Sequence, residues 1–256
     1  FMRGDILDRT KLSRAVEQCD AIVHFAAESH VDRSIADATE FVSTNVQGTQ
    51  TVLECARQWE RRVVHVSTDE VYGSLPLDAP DLKFNEQTPL APNSPYAASK
   101  AASDLFARAY FETYGLEVMT TRCSNNFGPY QYPEKLIPFF VSRLAAGECV
   151  PVYGDGRNIR DWIHVEDHCE AVLTVLEKGR AGETYNIGAD NELSNIALTA
   201  RILEYMGMSP AKIQFVEDRL GHDRRYAIDS SKIERELSWK ATRSNGDSAL
   251  YETIQW

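Results

Sequence analysis

Val63-Val64-His65-Val66-Ser67-Thr68-Asp69-Glu70-Val71-Tyr72-Gly73 is the stretch on which the fold turns. It opens as a short valine-rich run and then becomes polar and acidic. A run that is apolar without alternation suits a strand covered on both faces, as in a parallel sheet. The same pattern repeats outward from it. Upstream, Ala21-Ile22-Val23-His24-Phe25-Ala26-Ala27 predicts another buried strand, and Lys11–Cys19 a short helix with Asp8 or Thr10 as cap. Glu40–Trp59 predicts a long helix, because Phe41, Val46, Thr49, Val52, Leu53 and Ala56 recur near helical spacing. Downstream, Pro95–Tyr114 reads as a second long helix, with Asn93 or Ser94 as cap, proline in its first turn and Gly115 at its end. Leu116–Thr121 reads as a third strand. Strand, helix, strand, helix, strand indicates an open α/β sheet with right-handed crossovers. From about Tyr130 the chain changes to short elements between turns such as Tyr153-Gly154-Asp155-Gly156. This predicts a smaller lobe beside the sheet, with some elements returning to it.

Composition narrows the function. Of 256 residues, 43% are hydrophobic and 25% charged, the proportions of a soluble globular protein. A formal net charge of -11 speaks against a nucleic-acid binder, which needs a basic surface to neutralise phosphates. A few local arginines still suffice for a small phosphate ligand. Cys19, Cys55, Cys123, Cys149 and Cys169 show no CxxC or CxxH spacing, so no metal site is expected. A sparse, odd set fits a reducing compartment. No apolar run approaches the roughly 20 residues of a membrane span, and no signal peptide is visible. The expectation is a cytoplasmic protein with no membrane or nucleic-acid partner.

Two local patterns carry chemistry. Tyr96-Ala97-Ala98-Ser99-Lys100 puts a phenol and an ammonium one turn apart on one helix face. The positive charge is expected to lower the tyrosine pKa from about 10 towards the working range, making a general base for a substrate hydroxyl. Alone, the pattern is weak, because many helices carry it by chance. Thr68-Asp69-Glu70 strengthens it, because ligands in open α/β sheets bind beyond the carboxyl ends of the strands. The plain alternative is a solvated loop in which Thr68 or Asp69 caps a turn. Arg160 and Arg219 offer planar guanidinium groups suited to a diphosphate. The alternative pairs them with Asp155, Asp161, Asp218 or Asp223 nearby. His24 and His65 fall in strands and read as core, and His164 and His168 read as structural near a helix start. His30 and His222 fall in motif loops, with His222 a substrate-side candidate.

Taken together, Thr68-Asp69-Glu70, Tyr96 and Lys100 resemble the active site of the dTDP-glucose 4,6-dehydratases, within the extended short-chain dehydrogenase/reductase family. Simple epimerases of that superfamily usually lack the Asp-Glu pair, and GDP-mannose 4,6-dehydratases typically have Ser in place of Asp69. The likeness runs from about Gly4 to Trp256. It includes Ala26–Ser34, Cys123–Tyr130, Pro133–Pro138, Arg160-Asp161-Trp162 and Arg219–Tyr226.

The resemblance implies a Rossmann-like, doubly wound parallel sheet in which residues 1–129 bind NAD and residues 130–256 form a mainly substrate-binding lobe. It implies an NAD-dependent lyase acting on a nucleoside-diphosphate hexose. Tyr96 would take the sugar 4-hydroxyl proton, with Thr68 hydrogen-bonded to that hydroxyl, Lys100 tuning Tyr96 and the hydride leaving for NAD. Glu70 would remove the C5 proton, protonated Asp69 would donate to the departing 6-hydroxyl, and the hydride would return to C6. The implied NAD contacts are Asp5, Ile6, Phe25, Ala26, Ala27, Ser29, Thr44, Tyr96, Lys100 and Asn125. The implied substrate contacts are Ser29, Thr68, Asn125, Lys135, Leu136, Pro151, Tyr153, Arg160, Asn195, Arg219 and His222. The two long helices resemble those of a four-helix homodimer interface, with Phe106, Tyr110 and Phe111 on the outward face. The family's glycine-rich pyrophosphate turn is absent, and Gly154-Asp155-Gly156 lacks the strand-turn-helix setting to replace it. Asp5-Ile6 matches the family's adenine-side acid and its neighbour, so that turn and the first strand are expected upstream, in a longer polypeptide. Two other readings stand beside this one: an NAD-dependent nucleotide-sugar 4-epimerase, which the Asp-Glu pair argues against, and a non-catalytic ligand-binding relic.

Overall fold

The computed structural model describes residues 1–256. The chain runs α1 (Arg9–Glu17), β1 (Ala21–His24), α2 (Val31–Ala36), α3 (Thr39–Phe41), a π-helical segment (Val42–Gly48) and α4 (Thr49–Gln58). Next come β2 (Arg62–Thr68), a 3-10 turn (Asp69–Tyr72), α5 (Pro95–Tyr114), β3 (Val118–Cys123), β4 (Asn125–Phe127), α6 (Leu136–Ala145) and β5 (Val150–Tyr153). The remainder is β6 (Ile159–His164), α7 (Val165–Lys178), β7 (Thr184–Ile187), β8 (Glu192–Ser194), α8 (Asn195–Tyr205), β9 (Ile213–Val216), α9 (Ser231–Leu237) and α10 (Asp247–Gln255).

The main sheet is fully parallel, in the order β1-β2-β3-β7. Ile22 pairs with Val63, Val64 with Met119, and Thr120 with Thr184. Successive strand residues point to opposite faces, and the two neighbours Val63 and Val64 show it. Val63 packs with Leu53, Ala107 and Leu116 under α4 and α5, whereas Val64 packs with Val172, Val175, Ile233 and Trp239 under α7 and α9. Both faces are covered, which explains the non-alternating runs. Each fully buried Leu or Ile contributes about 1.5–3 kcal/mol. The elements α7, β7 and α9 follow residue 130 and return to this sheet. A second core, built around Phe140, Leu144, Val150, Leu198 and Ile202, joins α6, α8 and α10 to the β5-β9 pair and the β4-β6-β8 sheet.

Local signals set α5. The Ser94 hydroxyl accepts from Ala97 N at 3.1 Å, Pro95 occupies the first turn, and Gly115 ends the helix at φ 67. The helix expected over Glu40–Trp59 is continuous but contains the π-helical turn, a feature common at functional sites. That turn carries the fully buried Asn45, whose amide accepts from Glu28 N at 2.8 Å and donates to Glu28 O at 2.9 Å. The strand expected over Ala21–Ala27 stops at His24. Phe25 is 55% exposed and begins the loop that Asn45 holds.

The centre of the sheet also departs from an apolar interior. Arg122 Nε donates to Asp104 Oδ2 at 2.9 Å, and its Nη1 donates to the Tyr72 hydroxyl at 2.9 Å. Tyr72 donates in turn to Asn186 Oδ1 at 2.8 Å, and His65 Nε2 lies 3.2 Å from Asp104 Oδ1. This buried network ties α5 to three strands, with His65 Nδ1 and Asp104 Oδ1 left without a hydrogen-bond partner. The outward face expected on α5 is corrected in two places. Tyr110 is buried and donates to Glu54 Oε1 at 2.7 Å, and Phe111 packs inward against Gly182. The exposed apolar residues of that helix are Leu105, Phe106 and Tyr114.

Candidate active site

Because the sheet is parallel, the ends of β1, β2 and β3 open on one edge. There, between the main sheet and the elements of the second core, lies a cleft of about 930 Å³. Thr68, Asp69, Glu70, Tyr96 and Lys100 all line it. The two sequence patterns, 28 positions apart from Thr68 to Tyr96 by their numbering, therefore meet in one place. Thr68 ends β2 and caps the turn that follows: its hydroxyl accepts from Glu70 N at 3.3 Å and donates to Asp69 Oδ1 at 3.2 Å. The turn closes at Gly73, where φ is 85 and an added Cβ would lie 2.4 Å from Ala91 O. Only glycine fits both conditions.

The two carboxyls are held at unequal acidity. Asp69 is 2% exposed, and its Oδ2 has no partner. Burial pushes its pKa well above the usual carboxylate range, and the charges of Glu70 and Asp161 add to the effect. Burial raises Glu70 too, but Arg160 and Arg219 pull it back. Burial thus favours the protonated form of both carboxyls, more strongly at Asp69, while Arg160 and Arg219 favour ionisation of Glu70.

Tyr96 overturns one expectation. Burial, and then the charge of Glu70, push its phenol well above its ordinary value. Lys100 does not reverse this, because its ammonium donates to Val66 O at 2.8 Å and burial lowers its own pKa. Burial also pushes the Cys123 thiol up to about 12 and the His168 imidazole down to about 4, so both are neutral walls of the cleft at working pH.

The segments after residue 130 supply cations. Arg160 is 6% exposed and donates to Ile159 O at 2.7 Å and Asp223 O at 3.0 Å, not to a carboxylate. The alternative pairing fails because the aspartates are engaged elsewhere. Asp155 takes Arg224, Asp218 takes His222, Asp223 takes Asn93 and Tyr226, and Asp161 accepts from Ala189 N and Asn191 N. Arg219 Nε is buried without an acceptor. Lys135 Nζ donates to Ser29 O at 2.9 Å.

Phe25, Ala27, Ser29, Asn125, Leu136, Pro151, Tyr153, Asn195 and His222 line the same cleft, and Asn125 Oδ1 is buried and unpartnered. Asp5, Ile6, Ala26 and Thr44 do not line it. Asp5 Oδ1 accepts from Leu7 N at 2.8 Å, Ile6 packs against Gly48, Ala26 is exposed, and Thr44 is half-buried in the π-helical turn. His24 and His65 are core residues and His164 caps α7, as expected. His168 differs: it faces the cleft, 2.9 Å from Asn126 Oδ1 and edge-on to Phe25. Tyr226 lines the cleft too, beneath Arg160 and donating to Asp223. His168 has no local sequence signal, and Tyr226 lies in the Arg219–Tyr226 segment singled out above but is placed in the cleft only by contacts between distant segments.

Known proteins match this arrangement. The family model for GDP-mannose 4,6 dehydratase covers residues 1–248. The dTDP-glucose 4,6-dehydratase of Streptomyces niveus is 53% identical, over 100% of this chain and 75% of that protein. The crystal structure of DesIV (dTDP-glucose 4,6-dehydratase) from Streptomyces venezuelae with NAD and TYD bound superposes with a TM-score of 0.96 at 55% identity, covering 100% of this chain and 78% of that one. The UDP-glucose 4-epimerase of Thermus thermophilus, in complex with NAD, shares the fold at a TM-score of 0.92 but only 27% identity, covering 100% and 83%.

Proposed function

This chain belongs to the dTDP-glucose 4,6-dehydratase family, and we propose that its cleft dehydrates dTDP-glucose to the 4-keto-6-deoxy sugar with NAD as cofactor. The observation that carries the reading is the Asp69–Glu70 pair, held at unequal acidity beside Tyr96. The residues present fit a nicotinamide cofactor. Phe25, Ala27, Ser29 and Lys100 line the cleft, and the unpartnered Asn125 Oδ1 offers an acceptor to an amide N–H. When bound, NAD takes a hydride from C4 of the sugar and returns it at C6.

The chain's own groups do the rest. Thr68 hydrogen-bonds the 4-hydroxyl and Tyr96 accepts its proton, the phenol ionising only when cationic charge in the cleft, from Lys100 and the oxidised cofactor, offsets burial. The ketone at C4 acidifies the C5 proton, which Glu70 takes. Asp69, protonated, donates to the leaving 6-hydroxyl, and one water departs; when the hydride returns to C6 of the resulting 4-keto-5,6-ene, the proton held by Glu70 goes back to C5. Arg160, Arg219 and Lys135 hold the diphosphate, with planar forks from the two arginines. Pro151, Tyr153, Asn195 and His222 border the nucleotide. Ser29 lies between the cofactor and substrate sides. The exposed Leu105, Phe106 and Tyr114 on α5 support a homodimer through paired long helices. No helix is long and apolar enough to cross a membrane, and five unbridged cysteines support a reducing, cytoplasmic setting.

The epimerase reading shares the fold at much lower identity and leaves the carboxyl pair without a task. The relic reading leaves the whole assembled cleft without one. Mass spectrometry of dTDP-glucose incubated with the protein and NAD tests all three. Loss of one water supports dehydration, an isomer of unchanged mass supports epimerisation, and failure to bind NAD in a titration supports the relic.

A further inference from the structure

One cation of the cleft is met by an anion from the opposite lobe. Arg219 Nη1 lies 3.8 Å from Asp32 Oδ1, and the Tyr153 hydroxyl donates to Asp32 Oδ2 at 3.5 Å. Asp32 stands in the first turn of α2, on the sheet lobe, whereas Tyr153 ends β5 on the other. The segment around Asp32 makes further crossings. Lys135 Nζ donates to Ser29 O at 2.9 Å, and Arg33 donates to Glu134 Oε2 at 2.5 Å. Those contacts have their own partners and leave the clamp arginines alone. Asp32 is the carboxylate within ion-pair distance of Arg219, and Arg160 has none. Its side chain is 41% exposed against 19% for Arg219, so the pair sits at the cleft mouth, where it exchanges readily.

Resting on the nucleotide-sugar reading above, we propose that Asp32 is a built-in counterion standing in for a substrate phosphate. It bridges to Arg219 and Tyr153 across the cleft, and the incoming diphosphate displaces it. The physical reason is that a carboxylate and a phosphate cannot share one guanidinium without mutual repulsion. A diphosphate, with more charge and two sets of oxygens for Arg160 and Arg219, wins that exchange. Asp32 therefore sets the affinity for the nucleotide, and its release loosens the start of α2 from the second lobe as substrate enters.

The test is calorimetric titration of dTDP into the NAD-loaded protein, for wild type, Asp32→Asn and Asp32→Glu, at low and high salt. Asp32→Asn is expected to tighten dTDP about two- to fivefold at low salt, the span of a partly exposed ion pair. The gain fades as salt screens the charges. Asp32→Glu keeps the charge and stays within about twofold of wild type. Weaker or unchanged dTDP binding in Asp32→Asn overturns the proposal, because Asp32 would then be holding Arg219 in place for the ligand. A gain that salt leaves untouched overturns it as well. Absence of dTDP binding in the wild type is a separate result, which removes the nucleotide-sugar reading together with the proposal.

Discussion

Replacing Asp69 with Asn separates the two halves of the reaction. The carboxyl is 2% exposed, its Oδ2 has no partner, and burial with Glu70 beside it holds the pKa well above the usual range. With the carboxyl held towards its protonated form, the replacement puts a neutral group of nearly the same shape in its place. The amide oxygen can still accept from the Thr68 hydroxyl, which lies 3.2 Å away in the native protein. Thr68 and Tyr96 are undisturbed, so removal of the 4-hydroxyl proton and the C4 hydride continues within about tenfold of its native rate. The amide cannot give up a proton to the departing 6-hydroxyl. General acid assistance is worth about 10²–10⁴ in rate, or about 2.7–5.4 kcal/mol at 1.36 kcal/mol per tenfold, and elimination slows by that factor. Rapid-quench mass spectrometry of the sugar in a single turnover reads both steps. The 4-keto-glucose nucleotide accumulates, and the 4-keto-6-deoxy product appears late. If oxidation and elimination fall by the same factor, or if elimination proceeds at the native rate, the reasoning is wrong.

Three further outcomes follow from the same geometry. Tyr96→Phe gives the converse defect, slowing C4 oxidation by about 10²–10⁴ at saturating NAD; a defect that excess NAD restores would make the residue a cofactor contact and not the base. Asp69 also links stability to pH: its folded pKa is raised, so the folded state holds the extra proton, and the stability this gives is present below about pH 3.9 and lost as pH rises through the folded value. Asp69→Asn therefore melts at a higher temperature than wild type once pH passes the raised folded value, and the difference shrinks in acid; a gap that widens in acid contradicts the pKa direction. Gly73→Ala forces a Cβ to 2.4 Å from Ala91 O at φ 85, costing about 1–3 kcal/mol and lowering Tm by about 2–4 °C per kcal/mol. Turnover drops with it because the Asp69–Tyr72 turn shifts, and an unchanged Tm would show that the loop yields freely.

Much of this was legible in sequence, for identifiable reasons. Helix α5 is readable to the residue because Ser94, Pro95 and Gly115 are local signals whose effects do not depend on tertiary contacts. The five catalytic candidates are legible because each pattern sits at a predictable place, one at a strand end and one on a helix face. Phe25, Ala26 and Ala27 extend the expected strand wrongly because an apolar residue at a ligand cleft, as Phe25 and Ala27 are, or simply exposed, as Ala26 is, looks the same in sequence as one facing a core. Tyr110 and Phe111 are misplaced outward for a related reason: helical spacing locates a face, but the neighbours decide whether it is covered. The Tyr96 pKa fails because its sign depends on burial and on Glu70, against which one lysine engaged with Val66 O does not prevail. The contacts of Asp32, His168 and Tyr226 lie between segments far apart in the chain and leave no periodic trace.

The central claim is that this cleft performs an internal redox dehydration, and the most direct measurement uses dTDP-glucose deuterated at C4. With NAD and the protein, the account predicts a product lighter by one water, with the deuterium relocated to C6. A product of unchanged mass that retains deuterium at C4, or a dehydrated product whose deuterium has passed to solvent, contradicts it.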